Sequence, residues 1–310
     1  MREFKINYNK TFKPVLIIYL AFFLIGIIIA GIFGVELDIN FRGGSKISYS
    51  YSGELKVADV EAVVKENIEE KFTIGQSEAL AGETKTFEIS LVGKSALSAE
   101  DQEKLTTALT EKFTDNKISL YNSNTVSPTI AGTFFAKCFV AITITAILVI
   151  IYVGIRFKRI GGVSAALTAL VSLVFDVLIT FFTCVIFRLQ IDLNYVAVVL
   201  TILGYSLNDT IVIYDRVREN ERLNPNMEIG ELVNMSINKV LIRNIVTSIT
   251  TFLAVMTIVV VSELFGLSSL RTFAIPMAFG LISGGISSIF ISGPLWVIWK
   301  RRQAKKTAKA

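Results

Sequence analysis

Apolar residues in this chain are gathered into blocks. Val15–Gly34 runs for 20 residues and Phe273–Ile298 for 26 without a charged side chain. Further apolar segments cover about 134–155, 163–187, 193–213 and 244–262, making six in all. At 1.5 Å per helical residue, about 20 apolar residues cross a hydrocarbon core of roughly 30 Å. Six transmembrane helices are therefore predicted. Between the first two, the pattern changes to the short periods of a soluble domain. Lys46–Tyr51 alternates as a strand. Val57, Val60, Val63, Val64 and Ile68 recur at helical spacing within 57–72. Strands are expected over Phe72–Leu80 and Thr84–Val92, parted by Ala81-Gly82-Glu83. Ser98 with Asp101 resembles a capping box opening a helix to about Phe113, and Ile118–Val126 reads as a last strand. The order β-α-β-β-α-β predicts a split βαβ, ferredoxin-like α+β domain.

Charge sets the orientation. The net +5 divides into −6 over 36–130, where 16 acidic residues face 10 basic ones, and +11 over the rest. Arg2, Lys5, Lys10 and Lys13 precede the first span, and Arg156, Lys158 and Arg159 join the second to the third. Lys300, Arg301, Arg302, Lys305, Lys306 and Lys309 follow the sixth. The positive-inside rule then makes both termini cytoplasmic and the soluble domain extracytoplasmic. The expected layout is a cytoplasmic 1–14, a first helix over 15–34 and an extracytoplasmic domain over 35–130. Helices two to six follow over 131–299, with a basic tail over 300–310. The first span exceeds a typical signal-peptide core and no A-x-A-like site follows it, so it is expected to stay as an anchor. Within the cytoplasmic loop 215–243, Ile229, Leu232, Val233, Ile237, Val240 and Leu241 share a face, which predicts an amphipathic helix on the membrane surface.

Composition removes several chemistries. A soluble enzyme is excluded by the apolar blocks. With no histidine there is no His-based metal site, triad or proton relay, and Cys138 and Cys184 both sit in apolar segments. No cofactor or metal site is expected, and the basic residues flank spans instead of forming a nucleic-acid face. The outer domain has no nucleophile–base pair or phosphate loop, so binding or mechanical work is expected of it.

Charged groups inside spans mark function by default. Asp176, Asp209 and Arg243 qualify. Thr168, Ser172, Asp176, Thr180 and Thr183 form one stripe in the third span, Thr201, Tyr205, Asn208 and Asp209 one in the fourth, and Arg243, Thr247, Thr250 and Thr251 one in the fifth. Counting from the span ends, Asp209 lies roughly 9 Å and Arg243 roughly 5 Å below the cytoplasmic surface, with Asp176 about 20 Å deep. That geometry favours an Asp209–Arg243 pair with Asp176 as a second station. Bland readings stand beside it: Arg243 snorkelling to the interface, and Asp176 as structural glue. Gly280, Ser283, Gly284 and Ser287 give the sixth span a small-residue packing face, and Gly43-Gly44 a flexible connection into the outer domain.

Several motifs resemble the SecF family of protein-export membrane proteins. They are Gly204–Thr210 (GYSLNDT) with Asp215–Asn220 (DRVREN), Arg243–Thr251 (RNIVTSITT), Leu37–Gly44 (LDINFRGG) and Phe175-Asp176-Val177. The resemblance implies a multi-pass protein of the bacterial cytoplasmic membrane that pairs with SecD, a six-span relative, as half of an RND-superfamily transporter. Its further implied partners are the Sec translocon (SecYEG, with YidC and YajC) and the exported polypeptide, drawn outward by the proton motive force. It assigns the proton path to Asp209 and Arg243, with Asn208 and Asp176 beside them. Two other classes stay open: an RND-type half for lipids or small molecules, and an intramembrane aspartyl protease using Asp176 and Asp209. The unequal depths and the lack of a Gly-x-Gly-Asp motif speak against the protease.

Overall fold

The computed structural model describes residues 7–68, 72–78, 85–91, 98–265 and 267–307. The turn expected at Ala81-Gly82-Glu83 lies outside them. Six helical stretches are long and apolar enough to cross a membrane: Lys10–Phe33, Pro128–Arg156, Gly162–Ile186, Leu193–Leu223, Ile229–Leu264 and Ser269–Lys306. They belong to α1 (Tyr8–Phe33), α5 (Pro128–Arg156), α6 (Gly162–Ile186), α7 (Leu193–Leu223), α8 (Ile229–Leu264), α9 (Ser268–Ser287) and α10 (Gly293–Thr307). A π-helical turn, Ser288–Ser292, joins α9 to α10.

Between α1 and α5 lie a short α2 (Ile39–Arg42), β1 (Gly44–Tyr51), α3 (Val57–Asn67), β2 (Phe72–Glu78), β3 (Lys85–Leu91), α4 (Ala99–Lys112) and β4 (Ser119–Val126). The strands form one antiparallel sheet in the order β2-β3-β1-β4, with Ile47 opposite Ile89 and Tyr49 opposite Phe87. Period-two alternation puts Ile47, Tyr49, Tyr51, Phe87, Ile89 and Leu91 on one face, where Val60, Val63 and Val64 of α3 and Leu105 and Leu109 of α4 cover them. Ser98 caps α4, accepting from the Asp101 N–H at 3.1 Å and donating to its carboxylate at 2.7 Å. Such a cap is worth about 1 kcal/mol.

The helix bundle sorts its faces by polarity. α1 and α5 turn Ile17, Ile18, Ile28, Phe139, Leu148 and Ile155 outward, whereas α6 and α9 are largely buried. With lipid outside as apolar as leucine, close packing and interhelical hydrogen bonds hold such helices together. α9 approaches α6 and α7 closely: a Cβ at Gly280 would lie 2.6 Å from Thr180 Cγ2, and one at Gly284 3.0 Å from Ser206 Cβ. Trp296 of α10 donates its indole N–H to Ser164 Oγ of α6 at 3.0 Å.

One expectation is corrected here. Residues 215–243 are not a loop carrying a separate surface helix. α7 runs on to Leu223 and α8 begins at Ile229 and continues unbroken into its span. The apolar face read from the sequence is real, but Leu232, Val233, Ile237 and Leu241 bury it in the bundle core beside Tyr214, Val217 and Trp296. Amphipathicity records a buried side without saying whether lipid or protein covers it.

The sheet domain stands on a braced stem. Leu37 forms a parallel bridge with Ile191, through Asp38 N–H to Ile191 O at 3.0 Å and Ile191 N–H to Glu36 O at 2.8 Å. Arg188, in the same α6–α7 turn, donates to the carbonyls of Phe33 and Gly34 at 3.1 and 3.0 Å and pairs with Glu36. Gly43 and Gly44 have φ of +83° and +138°, and both are enclosed. A Cβ on Gly43 would meet Pro128 at 2.9 Å, and one on Gly44 the Leu91 carbonyl oxygen at 2.0 Å. The pair forms a close-packed turn between the stem, α5 and β3. Gly44→Ala is expected to cost about 1–3 kcal/mol, lowering the thermal midpoint of the purified protein. Gly31→Ala, where a Cβ meets nothing within 4 Å, should leave it unchanged.

Candidate functional site

α6 turns its polar stripe inward: Thr168, Ser172, Asp176, Thr180 and Thr183 are all buried. Asp176 is fully buried, and three hydroxyls meet its carboxylate. Ser206 of α7 donates to Oδ2 at 2.6 Å, Ser287 of α9 to Oδ2 at 2.9 Å and Ser283 of α9 to Oδ1 at 2.5 Å. Ser283 Oγ in turn lies 3.0 Å from Tyr19 Oη of α1, which donates to the Ser283 carbonyl at 3.1 Å. One carboxylate thus ties four helices together. An ionised carboxylate only accepts, so three O–H donors suit it. A protonated one must itself donate, which forces at least one hydroxyl to turn.

A second hydroxyl chain lies toward α10, where Thr168 Oγ1 and Tyr214 Oη are 2.7 Å apart and Tyr214 Oη and Ser292 Oγ 2.7 Å. The π turn sets Ser292 in this position; such turns recur at functional sites. Ser206, Ser283, Ser287 and Tyr19 were not singled out as polar partners in the sequence. Ser283 and Ser287 sit among Gly280 and Gly284, and small size conceals their hydroxyls in a packing pattern. The available signal was their i,i+4 spacing opposite a buried acid.

Asp209 lies on α7 toward α8, also buried, with Oδ2 lacking a hydrogen-bond partner. Tyr205 Oη, Thr210 Oγ1, Asn244 Nδ2 and Ser248 Oγ are buried without partners too. Each unsatisfied group costs about 1–3 kcal/mol. A concentration of them along α7 and α8 marks a polar seam, of the kind that water or a neighbouring chain satisfies. Asn244 and Ser248 also line an otherwise apolar groove of about 400 Å³ between α8 and α9.

The expected Asp209–Arg243 ion pair is absent among the described residues. Arg243 is exposed, although close enough to act on Asp209 through space. Depth alone predicted the pair, and helical phase overrules it. The buried positions of α8 here are Leu241 and Asn244, with Ser248 half-buried and its Oγ turned inward, and Arg243 stands about 100° away from Asn244. Asn208, grouped with Asp209 by the sequence pattern, is likewise exposed, one residue round the helix from it. Thr201 is exposed with it, while Ser206 and Thr210 go inward with Asp209. The structure therefore gathers Asp176 with serines and a tyrosine in one node. It leaves Asp209 in a second, partly unsatisfied seam, with Asn208 and Arg243 on the outer face.

Comparison with known proteins follows the same architecture. Residues 105–302 match the family described as protein export membrane protein SecD/SecF, C-terminal. The protein translocase subunit SecF of Petrotoga mobilis is 34% identical over 98% of this chain and 99% of its own length. The protein translocase subunit SecDF of Bacillus subtilis is 34% identical over 91% of this chain, but only 36% of that longer protein is covered. A crystal structure of SecDF from Thermus thermophilus, described as a translocon-associated membrane protein, superposes with a TM-score of 0.79 at 27% identity. It covers 96% of this chain and 39% of that one. A second SecDF crystal structure, in a Super-membrane-facing form, gives 0.66 over the whole chain and 41% of its own. This chain spans about two fifths of the length of those solved proteins. Matched along nearly its entire length by SecF relatives, the chain belongs to the SecD/SecF family of protein-export membrane proteins.

Proposed function

We propose that this chain is a SecF-like subunit of the Sec export machinery that works with a SecD-like six-span partner and uses the proton motive force to assist polypeptide translocation on the trans side. The observation that carries the reading is the pair of buried carboxylates in the bundle, Asp176 locked by three serines and Asp209 with an oxygen to spare. Exposed Asn208, Arg243 and Thr250 at span depth favour a partner bundle against α7 and α8, since lipid accepts such groups poorly. The distribution of basic residues supports cytoplasmic termini and an extracytoplasmic sheet domain. The sheet order β2-β3-β1-β4 with two helices on one face favours a ferredoxin-like description of that domain. Beyond SecD, the proposed partners are the Sec translocon and the exported chain, and no catalytic chemistry is assigned to the subunit.

In the proposed cycle a proton reaches Asp209 from the trans side. Neutralisation ends its attraction to Arg243, and α7 shifts in its packing. Ser206 stands three residues from Asp209 on the same helix, so the shift alters the donors around Asp176. From there the route runs through Ser283 and Tyr19 to α1, and through the start of α7 and Ile191 to the stem. One charge crossing the full potential supplies about 2.3 kcal/mol per 100 mV, enough to move a two-state equilibrium about 50-fold.

Two variants test the route. Asp209→Asn should abolish protonophore-sensitive stimulation of export in membrane vesicles while the partner still copurifies; undiminished stimulation would sink the proposal. Tyr19→Phe removes only the hydroxyl joining α1 to Ser283. It is expected to reduce that stimulation several-fold at a stability cost of about 1 kcal/mol, with protonophore-insensitive export unchanged. An equal loss in both export components would make Tyr19 merely structural.

A further inference from the structure

α8 and α9 meet at Ser248 and Gly285, where a Cβ on the glycine would lie 2.9 Å from the serine Oγ. Beside that contact they bound the groove of about 400 Å³, which Tyr8 of α1 lines at the end away from the sheet. Its rim is apolar and open, with Ile245 and Ile249 of α8 and Ile282 of α9 all exposed. At about 100° per residue, Ile245 and Phe252 stand about 140–180° round α8 from Arg243 and Thr250. The groove therefore opens on the side of α8 opposite the polar face proposed for the partner bundle, and its rim suits lipid. One group inside it does not. Asn244 lines the groove, is 2% exposed, and its Nδ2 has no hydrogen-bond partner. Ser248, one turn deeper, stands beside Asp209 of α7. The amide of Asn244 is left with its donor unmet, at a cost of about 1–3 kcal/mol.

Size and polarity define the occupant. A helix is about 10 Å across, and along the roughly 16 Å from Leu241 to Phe252 it would fill about three times this volume. The groove takes something thinner, apolar along most of its length, with a hydrogen-bond acceptor near one end. Asn244 follows Arg243 and lies five residues from Lys239, at the level where headgroups give way to hydrocarbon. That is where a glycerolipid carries its ester carbonyls, which accept and do not donate. Phe252 lies about 12 Å further along α8, and Ile282 and Ile286 of α9 face the same space. We infer that this groove binds one ester-linked acyl chain of a bilayer glycerolipid. Asn244 Nδ2 donates to the ester carbonyl, and the tail lies against Phe252, Ile282 and Ile286. The inference rests on the membrane placement of α8 and α9, and not on proton coupling.

Native mass spectrometry of the purified full chain in detergent tests the site with two phosphatidylglycerols of equal tail length, one diacyl and one dialkyl. Ether oxygens are poor acceptors, so the diacyl lipid should be retained about fivefold better, the worth of one hydrogen bond. Asn244→Leu should abolish that preference. Ile245→Trp, placed on the exposed rim, should lower retention of both lipids. Ile144→Trp, on an exposed apolar position of α5, should leave it unchanged. Equal retention of diacyl and dialkyl lipid by the unaltered chain overturns the inference, as does a preference that survives Asn244→Leu. So does an equal effect of the two tryptophans, which would mean a general lipid shell. Displacement of the lipid by the SecD-like partner overturns it too, and would make the groove a protein interface. Retention is read without translocation, so the fate of the export proposal does not decide it.

Discussion

A carboxylate buried at the centre of packed membrane-spanning helices is the constraint around which this bundle is built. Asp176 cannot reach water, and an ion left bare at that depth would cost more than most single contacts in the protein return. The three serines meet that demand, and meeting it dictates geometry. Ser283 and Ser287 must come from a helix close enough to touch α6, which is why Gly280 and Gly284 lie where a Cβ would strike Thr180 and Ser206. Ser206 must come from α7, which fixes that helix's rotation and so sends Asp209 inward and Asn208 outward. Tyr19 then locks α1 onto the same point. The small residues and the acid are one device.

Much of this was legible in the chain. Long uncharged runs announce spans because no globular core needs them, and the order of strands and helices in 44–126 follows from period and capping alone. The inward stripe on α6 was readable because five polar residues at three- and four-residue spacing have no other tolerable place in a membrane. What depended on rotation about a helix was not readable. Asp209 and Arg243 share a depth but not a phase, and nothing local in either helix determines how the two are turned toward each other. The same limit hid the fate of 229–241, whose apolar face suits a lipid surface and a protein core equally well. It also hid the brace at Arg188 and Ile191, since contacts between positions some 150 residues apart leave no periodic trace.

The polar seam on α7 and α8 contrasts with the satisfied node. Around Asp176 every carboxylate oxygen has donors, whereas Thr210 and Asn244 hold buried groups with none and Asp209 has only Ser248 of α8 beside it, beyond normal hydrogen-bond geometry. A structural role favours the first condition, because satisfied networks are rigid. A group that must gain and lose a proton is better served by the second, where solvation can change with its charge. The two acids of the bundle therefore differ in kind: Asp176 sits in a satisfied arrangement of four helices, and Asp209 is the one the proposed cycle asks to change its charge.

Whether such a disturbance reaches the sheet domain depends on stiffness along the way. α7 is a single helix of 31 residues, and its first turn is held by Asp192, which accepts from the Tyr195 N–H at 3.2 Å and from Thr272 at 3.1 Å. Next to that cap stands Ile191, bridged to the stem. A flexible glycine joint between span and domain would absorb a shift of one or two ångströms. Here Gly43 and Gly44 are packed against Pro128 and Leu91, and Arg188 ties the stem to the turn between α6 and α7. A joint enclosed on three sides transmits displacement, because close-packed contacts repack as units and do not stretch. The stem, which the sequence presents as a hinge, is instead close-packed, and in the proposed cycle it would pass a shift of α7 to the domain as a whole.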